Sequence, residues 1–159
     1  PPTAAVATAF AAAVNMTGNL ASGRWLQRGV PAPRLLMIGY LTMAASSVLA
    51  VSEALPATGA GPSLRYLAVL AFSAVGGVIP GTLFSLAVRL APSEDTVSTT
   101  VGWMQQWSAL GQFLGPPAVA WVAARAGGWQ WSWLVTAGCA ACGLLLAAWA
   151  RWLPQARAH

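Results

Sequence analysis

One stretch limits this chain's folding options more than any other. From Thr96 to Ala124 it reads TVSTTVGWMQQWSALGQFLGPPAVAWVAA, 29 residues with no formal charge (96 to 124 inclusive). A helix crosses the hydrocarbon layer of a bilayer with about 20 predominantly apolar residues, so this run is long enough to span. Its glutamines, serines, glycines and paired prolines then need an explanation that lipid alone does not supply. On an ideal helix of about 100° per residue, Gln105, Ser108, Gln112 and Gly115 share an arc of about 80°. Trp103, Trp107, Leu110 and Leu114 lie nearly opposite. One side is made for lipid, and the other for protein or water.

Polar side chains within a membrane either bond across to a neighbouring helix or line a wet cavity, and both readings stand for this face. Gly111 and Gly115 form a GxxxG pair that allows close backbone approach. Pro116 and Pro117 lack amide donors, so the spacing predicts a kink there.

The rest of the chain repeats the theme. Cutting it at its charges leaves apolar runs 1 to 23, 35 to 52, 66 to 88, 96 to 124 and 126 to 150, with lengths 23, 18, 23, 29 and 25. Each is near or above the roughly 17 residues a spanning helix needs. The expected fold is therefore all-α and integral to a membrane, a single domain over 1–159. Its five transmembrane helices are expected at about 1–23, 34–55, 64–90, 97–125 and 131–153. Only 7% of residues are charged, against about 25% in soluble domains.

All eight basic residues are Arg, against three acids. They flank the apolar runs and form no basic face, so no nucleic-acid partner is expected. With the first loop in the cytoplasm, Arg24, Arg28, Arg34, Arg89, Arg151 and Arg157 lie inside, and Arg65 and Arg125 outside. That asymmetry is what the positive-inside rule demands. It places the C-terminus in the cytoplasm and makes the cell's inner (plasma) membrane the expected location. The chain opens on Pro1 and Pro2 with no basic n-region, so it reads as the remainder of something longer and not as a signal peptide.

In the first helix Thr8, Asn15, Asn19 and Ser22 fall within an arc of about 60°. Asparagines a turn apart in a span need partners or water. They mark either a cavity or inter-domain face, or Asn-mediated packing. The loop Gly23 to Arg34 is short and basic. Glu53, near the far end of the second helix, reads as a headgroup-region acid, with proton coupling as the alternative. Pro56 to Ser63 is turn material. The third helix carries Gly76, Gly77, Pro80 and Gly81, a break tolerated only where protein or water satisfies the freed carbonyls. Either a gating bend or a packing kink would produce it.

Ser93 or Asp95 is placed to cap the next helix. Trp25, Trp129, Trp131, Trp133, Trp149 and Trp152 lie near span ends and read as interfacial anchors. Cys139 and Cys142 match CxxC but sit within an apolar run, where small buried thiols are expected and no redox or metal chemistry. The single histidine, His159, makes neither metal site nor catalytic dyad. No glycine-rich phosphate loop or acidic pair within a span is present, and lysine is absent. The sequence gives no grounds for an enzyme, a metal or a cofactor.

The order and spacing of these features resemble the C-terminal half of a major facilitator superfamily transporter, from its eighth helix to its twelfth. Gly23, Arg24, Trp25, Leu26, Gln27, Arg28 and Gly29 resemble the family's basic loop, approximately GRxxDRxG. Gln27 stands where Asp is usual, and one residue is missing before Gly29. The GGVIPG break is similar to the glycine- and proline-rich tenth helix. Gly102, Gln105, Gly111, Gly115 and Pro116 resemble the eleventh helix, and Gly128 with Trp129 resembles the GW before the twelfth.

The resemblance implies two six-helix halves rocking about a midplane site, with the first, third and fourth helices here facing the path and the second and fifth as outer supports. Asn15, Asn19, Gln105, Ser108 and Gln112 would line the substrate path or the seam between halves. Gly76, Gly77, Pro80, Gly81, Gly111, Gly115 and Pro116 would shape kinks or gates, and Arg24, Arg28 and Gly29 the cytoplasmic loop. The implied partners are lipid, a small-molecule solute and an absent N-terminal half, without which this chain is expected not to transport. The competing expectation is a non-transporting membrane sensor or assembly subunit whose five helices close on themselves.

Overall fold

A computed structural model describes residues 2–53 and 55–152. Arg157, His159 and the end of the last expected span, at 153, lie outside the described residues. Among the described residues the chain is helical and holds no strand. Its helices are α1 (Pro2–Gln27), α2 (Ala32–Val51), α3 (Gly61–Gly76), α4 (Val78–Leu90), α5 (Val97–Ala126) and α6 (Trp133–Ala150). Short 3₁₀ turns occupy Glu94–Thr96 and Trp129–Trp131.

Four units are long and apolar enough to cross a membrane: Pro2–Gln27, Ala32–Val51, Gly61–Leu90 and Trp129–Ala150. The fold is that of an all-α membrane protein. Helix α5 matches the Gly61–Leu90 unit in length, at 30 residues. It carries no charge before Arg125, yet its hydroxyls, amides and glycines leave it outside the more apolar set.

Helix α2 ends at Val51, short of the expected 55, with Ser52 turned extended at φ −63° and ψ 127° and its N–H closing on the Leu49 carbonyl. Arg65 on α3 donates to the carbonyls beyond that end, its guanidinium reaching those of Ser52 and Leu55 at 2.9 Å each. Pro80 leaves the Gly76 carbonyl without its helical donor, and a single turn residue, Gly77, separates α3 from α4, its backbone still helical at φ −65° and ψ −25°. Helix α5 behaves differently, continuing as one α-helix through Pro116 and Pro117.

Helix α1 ends at Gln27 and is closed by Gly29, whose φ of +84° favours glycine. Val30 N–H bonds the Trp25 carbonyl at 3.0 Å and Gly29 N–H bonds the Leu26 carbonyl at 3.1 Å. This is a Schellman closure, and it turns the chain sharply into α2.

Within the bundle α2 lies at the centre, packed most extensively on α6 and α3. It buries Leu35, Leu36, Gly39 and Ser46. The broken α3–α4 unit lies between α1 and α2. On its α2 side, Gly76 touches Met43, and Ile79 fills the space where a Gly39 side chain would stand. Tyr40 lays its ring over Gly143 of α6. Helix α5 reaches the others chiefly through α4 and the Trp129–Trp131 turn, and Ala123 is its one buried residue among those described.

Candidate functional site: two polar helix faces

The polar residues singled out from the sequence occupy two separate places. The first is the crossing of α1 with α3 and α4. Gly18, Ser22, Gly77 and Gly81 lack bulk, so the two backbones come close there. A Cβ on Gly18 would strike the Ala74 carbonyl, one on Gly77 the Asn15 carbonyl, and one on Gly81 the Ser22 hydroxyl. Both partners thus present a small-xxx-small pair.

Hydrogen bonds run along this crossing. Asn15 Nδ2 donates to the Ser73 carbonyl at 2.8 Å. Ser73 Oγ donates to the Ala11 carbonyl at 2.6 Å, and Tyr66 Oη to the Ala7 carbonyl at 3.0 Å. Asn19 Nδ2 reaches the Asn15 side-chain oxygen at 3.2 Å, and Ser22 Oγ donates to the Asn19 carbonyl at 2.7 Å. Each acceptor carbonyl belongs to a helix, and its second lone pair takes the extra donor. The Asn15 amide thereby holds α1 against α3, while the Asn19 amide is spent within α1 on the Asn15 backbone and side-chain oxygens. Thr8 does not join them; it is exposed and bonds back to the Ala4 carbonyl at 2.9 Å.

Sequence reasoning missed Tyr66, Ser73 and Thr82. Tyr66 and Ser73 are seven apart and so share a helix face, a signal that was available. Thr82 is fully buried, and its Oγ1 has no partner. A lone threonine in an apolar helix gives no such warning.

The second place is the face of α5. Gln105, Ser108 and Gln112 are all exposed. The Gln112 amide reaches Ser108 Oγ at 3.3 Å. Gly102, Gly111 and Gly115 have open space where a side chain would stand. The GxxxG read from the sequence therefore has no neighbour among the described residues. Pro116 and Pro117 also withhold donors from the Gln112 and Phe113 carbonyls. The opposite side is equally uncovered, with Trp103, Trp107 and Phe113 exposed, the last at 76%.

The two faces are not brought together. Asn15 and Asn19 belong to the α1 crossing, while Gln105, Ser108 and Gln112 stand on a helix whose packing runs through α4 and the turn before α6.

At the loop end of α1, Arg24, Arg28 and Arg34 are exposed, as is Arg89 at the end of α4. Ser93 is the residue that caps the turn into α5, its N–H donating to Thr96 Oγ1 at 3.0 Å. Arg125 lies over the Trp121 ring, 5.5 Å from its centroid. Trp25, Trp129, Trp131, Trp149 and Trp152 are all exposed, as interfacial indoles would be. Cys139 and Cys142 are free and exposed, not the buried thiols expected. On a lipid-facing helix an apolar thiol needs no burial in protein, because lipid replaces the core.

No curated protein and no solved structure matches the chain significantly. A family model for the Major Facilitator Superfamily matches residues 1–159. Multi-pass apolar helices, a third span carrying glycines and a proline, and a glycine-rich polar helix agree with that match, and the chain belongs to the Major Facilitator Superfamily of membrane transporters.

Proposed function

We propose that this chain is part of a secondary active transporter that moves a small solute by alternating access and is inactive alone. The observation that carries the reading is the uncovered face of α5. Gln105, Ser108 and Gln112 are exposed beside two glycines with open space around them. Amides in hydrocarbon need either a partner or water, and glycines at that spacing suit close approach by another helix. A second helical half and the path it encloses would supply both.

In this reading α5 contributes hydrogen-bonding groups without charge to the path or to the seam. Asn15 holds α1 against the α3–α4 unit, and Gly77 with Pro80 is where that unit would bend. The loop with Arg24, Arg28 and Gly29 faces the cytoplasm, as does the C-terminus, and the membrane is the cell's inner one.

The test is solute-panel uptake into proteoliposomes, comparing this chain alone, the chain with a second half, and Gln105→Leu and Gln112→Leu in the complete assembly. Transport is expected only with both halves, with each substitution lowering uptake about tenfold or more, since an unpaired polar group at a buried site costs about 1–3 kcal/mol. Full activity in both variants would remove these glutamines from the solute path.

A further inference from the structure

A cavity unrelated to either polar face lies where α2 ends and α6 begins. It measures about 250 Å³ and is lined by Val48, Val51, Glu53, Gln130, Trp131 and Trp133. The last turn of α2 supplies the valines, and Glu53 follows in the turn just past its end. Across the gap, Gly127 at φ +85° bends the chain out of α5. The Trp129–Trp131 turn then packs against α2.

We propose that this cavity binds the ammonium group of an amphipathic organic cation. Its chemistry is a carboxylate, two indoles and an amide around an apolar floor. Indole faces attract cations through their quadrupole, and quaternary or substituted ammonium groups are the ligands such aromatic walls recognise. Glu53 is free to serve as the counter-charge, because it makes no ion pair among the described residues. The basic residue on the neighbouring helix, Arg65, has its guanidinium bonded to the Ser52 and Leu55 carbonyls.

Other ligand classes fit less well. An anion would face the carboxylate. A hard metal ion needs about six oxygen ligands, and no group of three His, Cys, Asp or Glu residues among those described could hold one.

Size narrows the ligand further. The cavity is smaller than the roughly 300–1,000 Å³ of drug-sized sites, so it suits a headgroup. A second cavity of about 200 Å³ shares Val51 and Trp133 and adds Ser46, Ser47, Phe72 and Thr136. It lies beside the first, against α2, α3 and α6, and offers a mostly apolar wall for a tail. A phospholipid amine and a soluble amphipathic cation share this chemistry.

Two arms distinguish the sources. In the first, octyltrimethylammonium is titrated below its micelle concentration into the full chain in maltoside micelles and followed by calorimetry, with octyl sulfate as the anionic control. In the second, native mass spectrometry asks whether phosphatidylethanolamine is retained over phosphatidylglycerol. Glu53→Gln is expected to weaken binding about threefold to fivefold, as for an exposed ion pair, and Trp131→Leu by about the same. Glu94→Gln, at the other end of the bundle, leaves it unchanged, and circular dichroism confirms equal helicity in every variant. Binding in the first arm alone assigns a soluble cation, in the second alone a lipid, and in both the shared group. Octyl sulfate binding as well as the cation, or Glu53→Gln matching the parent in both arms, overturns the proposal.

Discussion

Two glycine pairs of identical spacing, Gly77 with Gly81 and Gly111 with Gly115, meet opposite circumstances in this molecule. At the first pair, backbone and side-chain atoms of α1 occupy the space a Cβ would need; at the second, there is open space. The polar neighbours follow the same division. Asn15 and Ser73 are tied into interhelical bonds, while Gln105 and Gln112 are exposed. Glycine spacing announces a close helix approach without saying which chain or segment will make it. In the proposed reading, the filled crossing sets stability and the open one assembly.

The contrast can be broken most forcefully at Gly77. Gly77→Val would drive a branched side chain into the Asn15 carbonyl. It is expected to destabilise the chain by about 3 kcal/mol, read as a lower midpoint in a denaturing-detergent titration. Arg65→Leu comes next, since it removes two charge-assisted bonds to the Ser52 and Leu55 carbonyls. About 2 kcal/mol should be lost, with cleavage by protease in the 52–60 loop rising in step. Asn15→Leu sharpens the comparison at a smaller scale. Interhelical side-chain bonds in membranes contribute about 0.6–2 kcal/mol, and the same titration should register a loss in that range. The smallest effect belongs to the open pair: Gly111→Leu should shift the midpoint of the chain alone by less than about 0.5 kcal/mol, yet impair recovery of a complex with a second half. Equal losses for Gly77→Val and Gly111→Leu would erase the distinction.

Much of this was legible in the residues. Charge-free runs located the helices because a membrane span tolerates few charges anywhere along its length. The interruption near Gly77 was readable because Pro80 acts locally on the carbonyl four residues back. Pro116 and Pro117 likewise withhold donors, and α5 runs on through them as one α-helix, so a missing donor does not by itself end a helix. The role of each polar residue was not legible. Asn15 and Gln112 look alike in sequence, and what separates them is whether another helix lies opposite. Thr82 was invisible for the same reason. Its burial depends on α1 and α2 converging on α4, a tertiary fact that periodicity does not encode. The bonds from Arg65 to the end of α2 also required the fold, because the charge count had placed that arginine only on a side of the membrane.

Backbone hydrogen–deuterium exchange in nanodiscs tests the central contrast most directly. Exchange is compared over 102–115 in α5 and over 70–85 across the broken helix, in the chain alone and with a second half present. The account predicts faster exchange over 102–115 in the chain alone, strong protection there once the second half is added, and little change over 70–85. Equal protection of the two segments in the chain alone, or no response of 102–115 to a second half, would contradict it.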